Sequence, residues 1–353
     1  MKTHIVGGKT YRLPNALSDF QTKMFVHLID WKRAYITDDP GYYERKGMKF
    51  AYDAILPEDY ERDENMQHVY EPARAQLASH REVNDFRIHE HFYHMASSQA
   101  ANINLFLPIL HHPNASAILA GINGAPPDFV TLATDALDHG YCLEFWGGNF
   151  GKNKKDKGPL GDKSPRAGTD SDIAIGYLNT QGELCFWLIE HKLTELEFTT
   201  CGGSTSEGRS DKVRHDCKRG FTYLLGNKSS CYYHDMCGYA YWNITERNAA
   251  FFANPPGDDK CPFKGGMNQL WRNQLLGLAI ENEGTDFRHA HFSVVRHPKN
   301  KALDQSLNAY KHLIADNPKF SNFTSESVIR SAEEHGDASL ITWAQWYRDL
   351  YML

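Results

Sequence analysis

Glu190 and Lys192, two charged residues at the end of one apolar run, have the most recognisable chemistry in the sequence. An earlier apolar run begins directly after Asp172. Side chains alternate across a β-strand, so Glu190 and Lys192 are predicted to point to one face and His191 to the other. Two carboxylates offer oxygen ligands to Mg²⁺ or Mn²⁺, and a nearby lysine can orient an attacking water or stabilise charge in the transition state. A metal-dependent phosphodiesterase needs this combination.

The two apolar runs are predicted to form a β-hairpin. Residues 173–178 and 184–189 are rich in aliphatic and aromatic side chains, and the polar residues 179–183 between them include a glycine. Such runs favour strands, and such a connection favours a hairpin loop, which would place Asp172 beside Glu190. A Glu-x-Lys tripeptide alone usually marks a solvated strand end, but the apolar run before it favours a buried position.

Two further acids are candidate metal ligands. Asp170 has the same strand parity as Asp172, so either can be the first acid, and Asp172 is preferred because it directly precedes the apolar run. Glu144 lies in a strand predicted at residues 141–146. It can supply a third carboxylate, or it can be an edge-strand acid with no role in the site.

The composition is that of an ordinary globular protein, with 353 residues, 41% hydrophobic and 23% charged. No run of about 18 apolar residues is present, which predicts no membrane span. The N-terminal residues lack the apolar segment of a signal peptide, so a cytoplasmic location is expected. The net charge of -6 excludes a polycation that coats nucleic acid, so any phosphate-binding surface has to be local.

Two basic segments can provide such a surface. Residues 151–166 include Lys154, Lys155 and Arg166, and residues 208–219 hold a second group of Lys and Arg residues. Runs of charge are usually solvated loops, but these two flank the predicted acidic strands on both sides. Their position favours contact with a nucleic-acid backbone.

Hydrophobic periodicity predicts that most of the remaining chain is helical. Residues 14–96 look helical and polar, with many aromatic residues. Residues 97–110 begin with serines that suit a helix N-cap. Further predicted elements are helices at 128–138, 266–283 and 302–315, a strand at 290–296, and one or two helices in 323–353.

The predicted helix at 266–283 carries a polar stripe. Gln269, Arg272 and Asn273 are spaced i, i+3 and i+4 and therefore share one face. Beside an active site, this stripe can hold a phosphate or position Lys192. A solvated polar face is the alternative.

The order of these elements resembles the core of the PD-(D/E)xK nuclease superfamily, in which a small mixed sheet is flanked by helices. The segment SSQAANINLF resembles the N-terminal helix of restriction-endonuclease-like members, with Ser98, Gln99 and Asn104 at matching places. The segment NQLWRNQLLGLA, which contains Gln269, resembles their post-catalytic helix. The resemblance covers about residues 90–300.

This resemblance implies an α/β fold with a restriction-endonuclease-like core, a small mixed central sheet flanked by helices, and helical additions at both termini. The expected parts are a helical N-terminal region at 1–96 packed on the core, a nuclease core at 97–320 with a cysteine-rich insertion at 201–262, and a C-terminal helical extension at 321–353. The oligomeric state stays open, with a homodimer as one option.

The implied activity is that of a Mg²⁺- or Mn²⁺-dependent endonuclease or exonuclease, with DNA favoured over RNA as the nucleic-acid partner. The implied site comprises Asp172 and Glu190 on the metal, with Glu144 and Asp170 as further ligands, Lys192 and Gln269 in the catalytic set, and Arg272 and Asn273 on phosphate. A non-catalytic nucleic-acid-binding or scaffold protein on the same fold is the competing hypothesis. The intact acid–acid–lysine set favours the enzyme.

Five of the seven cysteines fall within residues 201–261. A cytoplasmic setting argues against disulfides, so the cluster predicts a metal site, with unligated thiols as the alternative. The metal is either a [4Fe–4S] cluster, since Cys261 precedes a proline as the last ligand often does, or Zn²⁺ with help from His215 or His234. Some nucleases of the superfamily carry such a cluster, although three of their cysteines follow the post-catalytic helix. Cys142 and Cys185 are predicted core residues. The preferred ligands are Cys217, Cys231, Cys237 and Cys261.

Overall fold

Helices and strands alternate along the part of the chain that the computed structural model describes, which comprises residues 2–60, 66–84, 86–148, 157–163, 168–206, 215, 217–257, 260–282 and 285–353. The strands of these residues are β1 (Lys2–Val6), β2 (Lys9–Leu13), β3 (Gly41–Arg45), β4 (Met48–Tyr52), β5 (Phe129–Leu132), β6 (Tyr141–Phe145), β7 (Ser171–Asn179), β8 (Leu184–Lys192), β9 (His289–Arg296) and β10 (Phe320–Thr324). Their helices are α1 (Asp19–Tyr35), α2 (Glu71–Val83), α3 (Ser98–Leu110), α4 (Ala115–Gly121), α5 (Phe221–Gly226), α6 (Tyr232–Asp235), α7 (Tyr241–Arg247), α8 (Met267–Asn282), α9 (Asp304–Leu313), α10 (Ser325–His335) and α11 (Ala338–Tyr351).

A mixed six-stranded sheet positions the predicted acidic strands. Strands β8, β9 and β10 run parallel, while β7 pairs antiparallel with β8, and β5 and β6 pair with different ends of β7. The turn between β7 and β8 contains Gly182 at a φ of +75°, which a glycine adopts without strain. The predicted hairpin is therefore confirmed, and its register pairs Ile173 with Ile189.

Alternation along β7 and β8 divides the interior into two apolar cores. Odd-numbered side chains, such as Ile175 and Trp187, pack with residues of α1, α3 and α11. Even-numbered side chains, such as Phe186 and Leu188, pack with residues of α8 and α9 and with aromatic residues of the segment 221–263. Because Glu190, like Lys192, has even parity, the strand directs both side chains toward the α8 side of the sheet.

Helix α3 confirms the helix predicted at 97–110. The hydroxyl of Ser97 accepts a hydrogen bond from the backbone N–H of Ala100 at 3.3 Å and thereby caps the first turn. Nearly every side chain of α3 is buried, because the helix lies between the sheet and helices α2 and α11. The helices predicted at 266–283 and 302–315 and the strand predicted at 290–296 are also present, as α8, α9 and β9.

Two regions differ from the sequence prediction. The N-terminal region contains the hairpins β1–β2 and β3–β4 in addition to α1 and α2. The turn residues Gly7, Gly8, Lys46 and Gly47 all have positive φ, as tight hairpin turns require. The helix predicted at 128–138 is wrong, because its Phe-Val-Thr-Leu residues form β5 and pair with β7. Among the described residues, no helix is both long and apolar enough for a membrane span.

Candidate active site

Glu190 and Lys192 form a buried ion pair at the end of β8. The Nζ atom of Lys192 lies 2.8 Å from Oε1 of Glu190, and the two residues are only 8% and 3% exposed. His191 is fully buried on the opposite face, close to His297, and burial lowers its pKa to about 3. The prediction that strand parity separates Glu190 and Lys192 from His191 is confirmed.

Asp172 lies beside this pair because of the β7–β8 register. Its Oδ2 atom accepts a hydrogen bond from the backbone N–H of His191 at 2.5 Å. Its backbone carbonyl accepts a hydrogen bond from the side chain of Asn102 on α3 at 3.1 Å. The start of β7 is thus held by both neighbouring layers, and the charge of Glu190 acts on the carboxyl group of Asp172.

Glu144 brings a third carboxylate from β6. The pairs Leu143–Ile173 and Phe145–Ser171 flank it, so it lies opposite Asp172. Its φ of +49° is rare for a residue other than glycine and costs on the order of 1–3 kcal/mol, a kind of strain that concentrates at functional sites. Burial and the charges of Asp170 and Glu190 raise the pKa of Glu144 to about 8.

Asp170 is less tightly integrated than the other acids. It precedes β7, and its side chain is 44% exposed, with Oδ2 at 3.8 Å from Nζ of Lys163. Asp172 directly contacts β8, whereas Asp170 contributes through its charge. The structure therefore ties Asp172 to β8 and leaves Asp170 at the exposed edge, and the preference for Asp172 as a metal ligand stays a prediction.

The charges of this cluster do not balance. Burial and the charges of Glu190 and Glu144 raise the pKa of Asp172 well above its usual range. Burial by itself would lower the pKa of Lys192, but the charges of Glu190, Glu195 and Asp172 more than offset this and raise it. Lys192 is therefore an ammonium at neutral pH, and the carboxyl groups near it outnumber it, so Asp172 and Glu144 hold their protons more tightly than usual.

A hard divalent cation fits this environment, because the donors are carboxylate oxygens whose mutual repulsion a positive charge would relieve. Within the described ranges, no group of three or more His, Cys, Asp or Glu side chains is already arranged around a metal position. The fit of the site therefore rests on its donor chemistry and its charge.

Two side chains of helix α8 donate hydrogen bonds to the Glu190 carboxylate. The side-chain amide of Gln269 donates to Oε1 at 2.6 Å, and that of Asn273 donates to Oε2 at 2.7 Å. The Gln269 amide is itself oriented, since its oxygen accepts the backbone N–H of Thr199 at 3.1 Å. The i, i+4 spacing noted in the sequence thus places two donors on one carboxylate.

A family model described as Restriction Endonuclease associating with ARP matches residues 30–352. The chain belongs to this family. No curated protein and no solved structure matches the chain at a significant level. Membership in a restriction endonuclease family agrees with the mixed α/β fold and confirms the expected restriction-endonuclease-like class.

Arg272 is the third polar residue of the α8 stripe. In this restriction endonuclease family member it does not contact Glu190 as Gln269 and Asn273 do. It interacts with Tyr241 and with the charge of Asp162. The hydroxyl of Tyr241 in turn donates to Oδ2 of Asp162 at 2.5 Å, and so does Thr169. Arg272 therefore belongs to a buried network next to the site, whereas Gln269 and Asn273 contact Glu190 directly.

Glu195 is a site residue that the sequence reasoning missed. Its Oε2 atom accepts the backbone N–H groups of Leu193 and Thr194 at 2.8 and 2.9 Å, which turns the chain after β8 and directs negative charge at Lys192. The signal was an acid three residues after Lys192. It was not recognised because an acid in a loop is usually solvated.

The predicted phosphate-binding residues Lys154, Lys155 and Arg166 lie outside the described residues. Close to them in sequence, the structure describes Lys163, whose ammonium lies 5.1 Å from the ring centre of Trp146. A pocket of about 430 Å³ has Glu144 and Trp146 in its wall. The pocket gives Glu144, one of the clustered carboxylates, an open side.

The structure brings three of the four predicted cysteine ligands together. Cys217, Cys231 and Cys261 line one small cavity, and Cys201 joins them there. Cys237 is not part of that cavity wall and contacts Tyr239 and Tyr232, although its charge also interacts with that of Cys231. The two cysteines predicted in the core are buried, Cys185 fully and Cys142 partly, and the seven cysteines are not linked by disulfides. His215, one of the histidines considered as ligands, is near Asp235, at 3.3 Å.

Proposed function

We propose that the protein is a divalent-metal-dependent nuclease that hydrolyses phosphodiester bonds in DNA. The observation that carries the proposal is the contact between Glu190 and Lys192 next to Asp172, on strands whose carboxylates crowd into excess negative charge. Membership in a restriction endonuclease family supports the same reaction class.

Asp172 and Glu190 would hold a Mg²⁺ or Mn²⁺ ion, with Glu144 as the third carboxylate and Asp170 at the exposed rim. The cation would supply Lewis-acid stabilisation of the phosphate and a lowered pKa for a bound water. Glu190 offers about four acceptor positions, of which Gln269 and Lys192 use two on Oε1 and Asn273 uses one on Oε2. Oε2 therefore keeps an acceptor position for a metal ion.

Lys192 acts as a fixed positive charge and hydrogen-bond donor. Its raised pKa keeps the ammonium protonated, so it is poorly suited to remove a proton from water. An ammonium has three donors, and only one of them is directed to Glu190. The others can orient the attacking water and stabilise the negative charge that develops on the phosphate oxygens.

Gln269 and Asn273 keep Glu190 in one orientation during the reaction. Two amide hydrogen bonds and one ion pair restrict rotation of the carboxylate, so little reorganisation is needed as charge develops. This role assigns Gln269 to positioning.

The test is digestion of supercoiled plasmid DNA with Mg²⁺ or Mn²⁺ by the wild type and by Glu190→Gln and Lys192→Met. We expect nicking or linearisation by the wild type and a loss of at least about 10³-fold in both variants. Exposed residues on helices away from the site provide matched controls, Glu334→Gln and Lys23→Met, which should cleave like the wild type.

Circular dichroism of each variant separates loss of chemistry from loss of fold. Full activity of Glu190→Gln or Lys192→Met would contradict the proposed site. DNA binding that survives chelation, without strand breaks at any Mg²⁺ or Mn²⁺ concentration, would instead support the non-catalytic scaffold. A single-stranded and an RNA substrate of the same sequence show whether DNA is preferred.

A further inference from the structure

Four cysteines from four separate turns line a cavity beside α8. They are Cys201, Cys217, Cys231 and Cys261. The cavity has a volume of about 20 Å³, which is room for one water-sized particle. The thiols of Cys201 and Cys261 both lie close enough to the thiol of Cys231 for their charges to interact with its charge. Residues far apart in sequence therefore converge on a space of atomic size.

Backbone contacts bring these turns together and point N–H groups at sulfur. The N–H of Cys261 donates to the carbonyl of Cys217 at 3.1 Å, and that of Cys201 donates to the carbonyl of Lys264 at 3.2 Å. The thiol of Cys261 accepts the backbone N–H of Phe263, and the thiol of Cys201 accepts that of Ser204. Such N–H groups favour the thiolate form, which is the form that binds metals.

Asn268 provides an independent indication that the cavity receives a ligand. It lies in the cavity wall and is only 1% exposed. Neither atom of its side-chain amide has a hydrogen-bond partner among the described residues. Buried amides are almost always paired, so this one requires an acceptor or donor in or next to the cavity. A metal-bound thiolate would accept its N–H.

We propose that Cys201, Cys217, Cys231 and Cys261 bind a single Zn²⁺ ion as four thiolates. Four sulfur donors are a complete ligand set for tetrahedral zinc. A cavity of one-particle size favours a single ion over an eight-atom [4Fe–4S] cluster. The assignment replaces Cys237 by Cys201 in the set expected from the sequence.

Binding of one ion would require the cysteine side chains to reorient, because no group of three or more potential ligands in the described part of the chain is arranged to hold a metal. A bound zinc ion would compensate the charges of the four thiolates.

The zinc site would support the side of α8 that faces away from Glu190. Asn268 and Trp271 lie in the cavity wall at i and i+3, whereas Gln269 and Asn273 contact the Glu190 carboxylate. The ring of Phe263, two residues after Cys261, stacks on Trp271 with centroids 3.9 Å apart. The ion therefore anchors the helix that positions Glu190. This inference stands independently of the cleavage activity proposed above.

The test measures metal content in the full-length protein, purified without a metal-binding tag under reducing, anaerobic conditions. We expect about one zinc per chain by mass spectrometry of metals. Cys201→Ser should lose zinc and have a lower melting temperature. The matched variant Cys237→Ser should keep its zinc and the melting temperature of the wild type. Glu190→Gln should retain zinc, so failure of the active-site proposal would be distinguishable from failure of this one.

Cobalt(II) gives a second reading of the ligand set. Protein refolded with Co²⁺ should show the intense visible bands of tetrahedral thiolate coordination, and Cys201→Ser should weaken them while Cys237→Ser does not. Zinc loss in Cys237→Ser with retention in Cys201→Ser would overturn the ligand set. Brown protein with iron and absorption near ~400 nm, or protein with no bound metal and freely reactive thiols, would overturn the proposal of zinc.

Discussion

The carboxylate site and the cysteine cavity lie on two sides of α8 and collect ligands in different ways. The carboxylate site draws Asp172 and Glu190 from adjacent strands of one hairpin, where register alone brings them together. The cysteine cavity draws on four turns that no shared strand connects. In the carboxylate site, strand pairing brings like charges together. In the cysteine cavity, a common ligand would hold the four turns together.

This difference predicts opposite roles for the two sites. The crowded acids raise one another's pKa, so the carboxylate site lowers the free energy of unfolding at neutral pH. Such a destabilising arrangement is expected where it serves a function. Four thiolates around an ion would add stability, because a bound metal selects the folded state. Four predictions test the contrast, beginning with the largest effect.

Asp172→Asn should abolish cleavage without destabilising the protein. We expect at least about 10³-fold less nicking, because an amide is a poor ligand for a hard cation. Without divalent metal, the melting temperature should equal or exceed that of the wild type, because one of the crowded negative charges is gone and the amide oxygen can still accept the N–H of His191. Plasmid assays and thermal unfolding measure both. A melting temperature several degrees lower would show that the acid stabilises the fold.

Removal of the two metals should separate activity from stability. A weak chelator that removes Mg²⁺ should stop cleavage at once and reversibly, with little change in melting temperature. Stripping zinc from the thiols should lower the melting temperature by at least about 5 °C. Calorimetric scans with metal analysis measure this. Equal destabilisation by both treatments would contradict the distinction between a reactive and a supporting site.

The Glu190 hydrogen bonds should have an intermediate effect. Gln269→Ala and Asn273→Ala each remove one amide donor to a charged group, worth about 1.5–3 kcal/mol, so we expect cleavage to fall about 10- to 100-fold. Gln345→Ala, at an exposed position on α11, is the control. Single-turnover rates at saturating Mg²⁺ measure the effect. An unchanged rate in both variants would remove α8 from the positioning of Glu190.

The smallest expected effect is a pH dependence that originates at Glu144. Its pKa is about 8 in the folded protein and 4.5 as an ordinary glutamate, so the folded state binds this proton more tightly. Without metal, this group therefore favours folding increasingly as the pH falls from 8 toward 4.5. Mg²⁺ needs the carboxylate, so its binding should release protons and weaken as the pH falls below 8.

Titration calorimetry in buffers of different ionisation enthalpy measures this proton release. Glu144→Gln should reduce it, and the control Glu334→Gln, at an exposed position on α10, should not. Identical proton release in the wild type and Glu144→Gln would place the titrating group elsewhere.

Much of the carboxylate site was predictable because it depends on short-range geometry. Strand parity puts Glu190 and Lys192 on one face, and a hairpin connection puts Asp172 beside them. Helix spacing likewise puts Gln269 and Asn273 on one side of α8. Glu195 could not be predicted because its carboxylate acts on Lys192 through its charge, and the turn after β8 that places it there is visible only in the structure.

The errors have a common origin in pairing partners that are distant in sequence. The segment containing Phe129 has residues compatible with a helix or a strand. It forms strand β5 because it pairs with β7, which lies more than 40 residues later in the sequence. The choice between Cys201 and Cys237 depends on how four turns fold against α8, which no local spacing reveals.

By itself, the sequence determined which chemistry this protein can have: two carboxylates and a lysine at strand ends, a polar helix face and a group of thiols. It did so because alternation and helical periodicity are local properties of the backbone. The tertiary structure decided which groups meet, since the partner of Glu190 on α8 and the fourth cysteine of the cavity come from distant parts of the chain. Their meeting is governed by burial of the two apolar cores against the sheet.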